Sequence, residues 1–480
     1  MSETLKDKTA KGLFWGAIGS GGLQLLNILF GIILGRLLSP DDYGIVGLLA
    51  IFTAVAGNIQ DSGFAVALVN QKETRKEDFN SVFWFNILVS ITLYVILFFC
   101  APLIASYFNQ PALTKLGRFV FLAFIITSIG IAHGAYLTKH LMNREKAIIS
   151  ITALIVSGCV GVTLALSGYG YWSLAWQQVV YNIVILIGRI YCTPWRPTLH
   201  ISFAPVKRMF SFSYKILITM IINSLSENVL TFVFGKLYPV RSVGLFSQAH
   251  HWDCKAHSFV NMTIAQVAQP VLATLNDEKE RQRRVFRKML RFTVFVSFPC
   301  LFGLALVADE FIVLALSEKW KESVILLQVL CISGAFEPVY IMYHNLAISR
   351  GRSDIYLWCT ALHIILLIGI IIALHRDGIL TMVIAYSAFH IAWLGVWQVM
   401  AHRLIGLRLL DVLRDIAPFL IITLTVMAIT YFVTLPIENM VLLLIARILI
   451  AGGLYIAVMK RLKVKIMEEV IQYFRRKRTA

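Results

Sequence analysis

The chain has 480 residues, of which 58% are hydrophobic and 15% charged, with a mean hydropathy of +0.75. Soluble domains carry about 25% charged residues, so this composition cannot supply the polar surface that a set of soluble domains requires. The formal net charge of +18, from 44 Lys and Arg against 26 Asp and Glu, would point to nucleic acid in a soluble protein; here its placement points elsewhere.

Taken in chain order, residues 12–35, 119–138, 256–276, 355–375, 378–402 and 416–437 carry no Asp, Glu, Lys or Arg. About 20 apolar residues cross the hydrocarbon core as a helix, so each run suffices for one span. The runs 79–114 and 147–188 are long enough for two. They divide at Asn109-Gln110-Pro111 and at the turn-rich Ser167-Gly168-Tyr169-Gly170. Weaker runs, interrupted by single charges, occupy 43–70, 210–235, 292–316, 322–349 and 438–459. Lipid cannot satisfy an open backbone, so the spans are expected to be helices. The fold class is all-α and polytopic, with about 14 transmembrane helices and 12 or 13 as the alternatives.

The bases set the orientation. With the N-terminus inside, the segments predicted cytoplasmic hold 33 of the 44 Lys and Arg, the opposite side holds 8, and Lys215, Lys255 and Arg447 fall within spans. Such asymmetry in short loops places both termini in the cytoplasm. The charge therefore reports topology and contact with membrane lipids, and no nucleic-acid partner is expected. The polar start followed by a span-length apolar run predicts no cleaved signal peptide. Seven scattered cysteines without a Cys-x-x-Cys pair predict neither disulfides nor a metal site. No nucleotide-binding motif is present and no cofactor is expected.

The predicted organisation is an N-terminal six-helix half over 1–190, a cytoplasmic linker over 191–209 with Pro194, Pro197 and Pro205, and a C-terminal six-helix half over 210–403. An extra helix pair follows over 404–459, then a basic amphipathic tail over 460–480 suited to the anionic inner surface. The halves share a pattern. Leu34-Gly35-Arg36-Leu37-Leu38-Ser39-Pro40-Asp41-Asp42-Tyr43-Gly44 is matched, 200 residues on, by Phe234-Gly235-Lys236-Leu237-Tyr238-Pro239-Val240-Arg241-Ser242-Val243-Gly244. Both stand at the outer end of the first span of their half, which reads as an internal repeat. Paired six-helix halves are a common transporter plan, with the substrate site between them.

Polar residues within spans are costly and mark cavities or helix contacts. In span seven Thr219, Asn223, Glu227 and Thr231 recur every four residues on one stripe, with Asn228 beside it. Span eight carries Asp253, Lys255, His257 and Asn261, with Asp253 placed to pair with His257 one turn on. Gln24 and Asn27 share a face of span one, and Glu337-Pro338 sets an acid at a helix breaker in span ten. These ten residues other than the threonines are the substrate-cavity candidates. Glu227 and Asp253 are also the candidates for coupling transport to H+ or Na+. Lys255 is either a phosphate contact or a snorkelling base. Arg447 either pairs with an acid or borders a lipid-tail groove.

Three stretches carry a family resemblance. The first repeat motif after span one, Asp61-Ser62-Gly63-Phe64-Ala65-Val66-Ala67-Leu68-Val69-Asn70-Gln71-Lys72, and Gly244-Leu245-Phe246-Ser247-Gln248-Ala249 with Ala268-Gln269-Pro270-Val271-Leu272-Ala273 resemble polysaccharide flippases. These belong to the multidrug/oligosaccharidyl-lipid/polysaccharide exporter superfamily, and the resemblance is to the lipopolysaccharide and colanic-acid branch. The pattern departs at His250–Lys255 of span eight, where the family usually has Tyr and Arg. The resemblance implies a V-shaped 14-helix fold in the bacterial inner membrane. It also implies alternating access for a lipid-linked oligosaccharide on undecaprenyl diphosphate, with no bond cleavage, alongside other polysaccharide-assembly membrane proteins. The alternatives are a cation-coupled multidrug exporter of the same fold and a membrane polysaccharide polymerase or ligase. The short outer connections speak against the enzyme.

Overall fold

The computed structural model describes residues 5–61, 64–70, 74–199, 203–462 and 467, and among these the regular structure is entirely helical. The chain forms two compact units, Met1–Gly244 and Leu245–Ala480. The first contains α1 (Leu5–Leu37), α2 (Pro40–Gly47), α3 (Ala50–Asp61), α4 (Phe64–Asn70), α5 (Lys76–Tyr107), α6 (Ala112–Lys139), α7 (Asn143–Leu166), α8 (Trp172–Cys192) and α9 (Ala204–Leu237). The division falls in the first turns of α10 (Val240–Ala273). The second unit continues with α11 (Lys279–Leu306), α12 (Ala308–Ala315), a 3₁₀ turn (Glu318–Trp320), α13 (Ser323–Gly334), α14 (Glu337–Ser349), α15 (Ser353–Ala373), α16 (Ile379–Ile405), α17 (Leu409–Thr434) and α18 (Met440–Arg461).

Among the described residues 12 segments are long and apolar enough to cross a membrane. The remaining expected crossings fall on α1 and α10, of 33 and 34 residues. The breaks read from the sequence are present. α5 ends at Tyr107 and Asn109 takes φ 55°, while α7 ends at Leu166 and Gly168 and Gly170 take φ 81° and 53°. Glycine adopts that left-handed region without a Cβ penalty, which is why the turn falls there. Two expected spans are subdivided. Span two consists of α2, α3 and α4, and span ten is α13 and α14, with Pro338 in the first turn of α14.

In the first unit α1 lies along α7, α6 packs on α5 and α8, and α9 packs on α3, α4 and α5. The proline-containing connection after α8 is pinned. Trp195 is buried among Phe79, Phe83 and His133. Trp84 Nε1 donates to Thr198 O at 2.7 Å, and Thr198 N donates to Asn80 Oδ1 at 2.8 Å. In the second unit α11 packs on α17 and α13 on α16, and α18 completes the α17 side. The expected tail helix over 460–480 falls largely outside the described residues.

The repeat is visible in the backbone. α1 ends at Leu37 and α9 at Leu237, while α2 begins at Pro40 and α10 at Val240. Ser39 caps α2 reciprocally with Asp42: Asp42 N donates to Ser39 Oγ at 3.2 Å and Ser39 N donates to Asp42 Oδ2 at 2.9 Å. The closing glycines of the two motifs approach one another's helix starts. A Cβ on Gly44 would lie 2.1 Å from Val240 O, and one on Gly244 would lie 1.8 Å from Pro40 O. Such distances admit only glycine, and the contact exchanges equivalent positions of the two repeats.

Candidate functional site

The sequence-named residues divide between the two units. In the first, Gln24 is half-buried and Asn27 exposed on α1. On α9, Asn223 is half-buried, Glu227 exposed and Thr231 buried. Asn228 Nδ2 donates to Ser224 O at 2.9 Å within the helix. The adjoining Asn58 joins α3 to α9, donating to Ser224 Oγ at 2.6 Å and Met220 O at 3.0 Å. Side chains of Asp61 and Lys215 lie outside the described residues.

In the second unit the named residues converge. Asp253 is buried, and its carboxylate stands 3.9 Å from His257 Nε2. Asn261 Nδ2 is 3.0 Å from His257 Nδ1, and Cys254 Sγ is 3.0 Å from His250 Nδ1, so one face of α10 is a polar ladder. Gly334 lets α13 meet it: a Cβ there would lie 2.1 Å from Asp253 Oδ1. Glu337 follows at the start of α14, where the chain restarts after Ala335-Phe336, and Glu337 Oε2 accepts from His390 Nε2 at 3.0 Å. The kink expected at Glu337-Pro338 is thus a break between two helices that delivers a carboxylate to α16.

Around that pair lies a ring of groups that the sequence reading passed over. The His390 ring stacks on Tyr340 at 4.3 Å, and Tyr340 OH donates to His390 O. His363 of α15 stands 5.6 Å from His390, ring centre to ring centre. His344 packs on Trp397 at 4.7 Å and Tyr356 at 4.8 Å. These histidines lie in runs judged only by their lack of Asp, Glu, Lys and Arg. Several histidines set in successive apolar spans was the available signal. Lys255 lies over the Trp252 ring at 4.9 Å, a cation–π contact.

Two carboxylate–imidazole pairs, Asp253 with His257 and Glu337 with His390, thus stand within otherwise apolar helices. Among the described residues Asp253 Oδ1 has no hydrogen-bond partner, so it can take a proton without breaking one. Asp253, Cys254 and His257 also place three ligand-type atoms within 4.8 Å of one another. A tetrahedral metal site usually takes four.

Two other bases of this unit are held by acids. Arg447 Nη1 donates to Glu310 Oε1 at 2.5 Å and Leu306 O at 3.0 Å, and Nε to Thr434 Oγ1 at 3.3 Å. Of the two alternatives left by the sequence, the acid partner holds. Arg287 donates to Asp415 at 2.6 and 3.2 Å and lies 3.1 Å from Asp411.

The repeated helix plan, the span-length apolar segments and the buried polar clusters define a multi-pass helical membrane protein of the transporter class. The chain belongs to the polysaccharide biosynthesis protein family, whose model matches residues 33–325. It is 26% identical over 358 residues to the lipopolysaccharide biosynthesis protein WzxC of Escherichia coli (strain K12), covering 73% of this chain and 72% of that one. It is 24% identical over 434 residues to the teichuronic acid biosynthesis protein TuaB of Bacillus subtilis (strain 168), covering 89% of each. Among solved structures, the lipid II flippase MurJ in an inward closed conformation shares the fold. Its TM-score is 0.73 at 14% identity, over 93% of this chain and 99% of that one. An inward-facing multidrug resistance MATE transporter of the MOP superfamily also shares it, at a TM-score of 0.65 and 16% identity, over 80% and 95%.

Proposed function

We propose that this protein is a flippase for a lipid-linked oligosaccharide, carried on undecaprenyl diphosphate, in surface polysaccharide biosynthesis. It works by alternating access in the bacterial cytoplasmic membrane with both termini in the cytoplasm. The observation that carries this reading is the pairing of family with fold. A chain of the polysaccharide biosynthesis family adopts, over 93% of its length, the fold of a lipid II flippase. The action is binding and conformational exchange, without bond cleavage. Deletion of the gene should trap the lipid-linked repeat unit on the cytoplasmic leaflet; export at the normal rate in the deletion strain would contradict the reading.

The acid–histidine cluster of the second unit serves coupling. Glu337 with His390 and Asp253 with His257 exchange protons as the protein alternates, so the gradient biases the two states through their different proton affinities. Of the sequence-named coupling residues, Asp253 fits this role better than Glu227, since Asp253 is buried beside an imidazole and Glu227 is exposed. Glu337→Gln is expected to abolish gradient-driven transport while substrate binding persists. The acidic character of this cluster also favours a second reading, a cation-coupled multidrug exporter. That reading predicts raised drug sensitivity in the deletion strain with glycan export intact.

A further inference from the structure

On α10, Asp253, Cys254 and His257 bring a carboxylate oxygen, a thiol sulfur and an imidazole nitrogen within 4.8 Å of one another. The grouping follows from the helix. At 3.6 residues per turn, position 257 projects one turn on from 253 and 254 and between them, so Asp-Cys-x-x-His closes a triangle of three ligand types. Paired cysteines are the usual sequence sign of a metal site, and this spacing lacks them.

Three features of the triangle suit an ion. The first is the gap between acid and imidazole. His257 Nε2 stands 3.9 Å from Asp253 Oδ2, too far for a hydrogen bond. Two ligands of one tetrahedral zinc ion, each bonded at about 2.1 Å, stand about 3.4 Å apart, so a small closure of the pair admits the ion. The second is the carboxylate. Asp253 is buried, and its Oδ1 has no hydrogen-bond partner among the described residues; an ion held by this group offsets the cost of its desolvation. The third is the support behind the imidazole. Asn261 Nδ2 is 3.0 Å from His257 Nδ1, and Asn261 Oδ1 is buried without a partner among the described residues. With that amide turned end for end, Oδ1 accepts from Nδ1–H and Nε2 presents its lone pair toward Asp253. A metal-binding histidine is ordinarily anchored in this way through its other nitrogen.

We propose that Asp253, Cys254 and His257 form a binding site for a zinc ion. The fourth position is left to water or a solute, as in zinc sites with three protein ligands. Ligand type and charge select the ion. Thiolate and imidazole favour zinc over calcium or magnesium. The carboxylate and the thiolate carry two negative charges, which cancel those of a dication, while the histidine is neutral; the thiol proton leaves to water on binding. The occupied site therefore adds no net charge to the membrane interior, whereas a monovalent ion would leave a buried anion. His250 Nδ1, 3.0 Å from Cys254 Sγ and one turn back, orients the sulfur. The ion and a proton exclude one another at these atoms, so zinc competes with the coupling proposed for Asp253 and His257. Binding is measured without transport, and its failure leaves the coupling reading standing.

The test uses the purified full-length protein in detergent, with any affinity tag removed, and Co2+ as the spectroscopic probe. The wild type is expected to bind one Co2+ per chain with a thiolate-to-cobalt charge-transfer band, and Zn2+ should displace it. Cys254→Ser should abolish the band. His257→Gln and Asp253→Asn keep the thiol and should each weaken Co2+ binding about tenfold or more, as expected for loss of a ligand. Asn261→Leu keeps all three ligands and should also weaken binding about tenfold, through the unanchored imidazole, an effect that a role in helix packing alone would not produce. A wild type without the thiolate–cobalt band overturns the proposal, as does a band that persists in Cys254→Ser. His257→Gln removes a different ligand of the same site, so unchanged affinity in that variant overturns the proposal even where Cys254→Ser does not fold.

Discussion

In the first unit Lys146 and Arg189 line one cavity, in which no carboxylate stands among the described residues. In the second, two bases are met by acids, Arg447 by Glu310 and Arg287 by Asp411 and Asp415. The same residue type thus serves two ends. A buried base with its acid fixes one helix to another, and its removal leaves an uncompensated charge. Bases that share one cavity repel one another unless an acid, water or an anionic ligand joins them. A count of intramembrane bases does not distinguish the two arrangements.

The largest effect expected from breaking this contrast is at Glu310. Glu310→Ala leaves the Arg447 guanidinium buried without its acid and should cost about 3–5 kcal/mol, read as a lowered thermal midpoint; an unchanged midpoint would show that the pair carries no structural load. Gly244→Ala forces a methyl into the 1.8 Å space before Pro40 O. It should cost about 1–3 kcal/mol as overpacking, with Gly44→Ala behaving alike because the contact is reciprocal. Ser39→Ala removes the α2 cap and should cost about 1 kcal/mol. Smallest is Lys146→Gln/Arg189→Gln. Its midpoint should fall by less than that of Glu310→Ala, since the described contacts of the two bases are to neutral groups, Gly130 O and Thr138 Oγ1. A fall as large as that of Glu310→Ala would erase the distinction between the units.

Much of the fold was legible because membrane helices announce themselves by composition. The turns at Asn109 and at Gly168–Gly170 followed from residues that tolerate positive φ. The repeat followed from one 11-residue pattern, and the structure adds that its closing glycines meet reciprocally. The subdivision of span two was less legible. The Ser39-Pro40-Asp41-Asp42 start of α2 is a clear capping signal, but the break after Gly47 is marked only by a single glycine in an apolar stretch.

The candidate site was legible where partners are close in sequence, as for Asp253 and His257. Partners far apart were not readable. Glu310 lies 137 residues from Arg447, and His390 lies 53 from Glu337. Histidine also escaped a search for charges, which passed over His344, His363 and His390. At span ends such as Lys146 and Arg189, a base that sets topology and a base that meets a ligand look the same in sequence.

The central claim, translocation of a lipid-linked oligosaccharide, is tested most directly in proteoliposomes of the purified protein. These carry a fluorescent undecaprenyl diphosphate oligosaccharide and an imposed proton gradient, and flipping is read by quenching of the outer leaflet with dithionite. The account predicts that nearly all the label becomes accessible with the wild type and only about half with Glu337→Gln. Accessibility of half the label with the wild type, equal to that of protein-free liposomes, would contradict it.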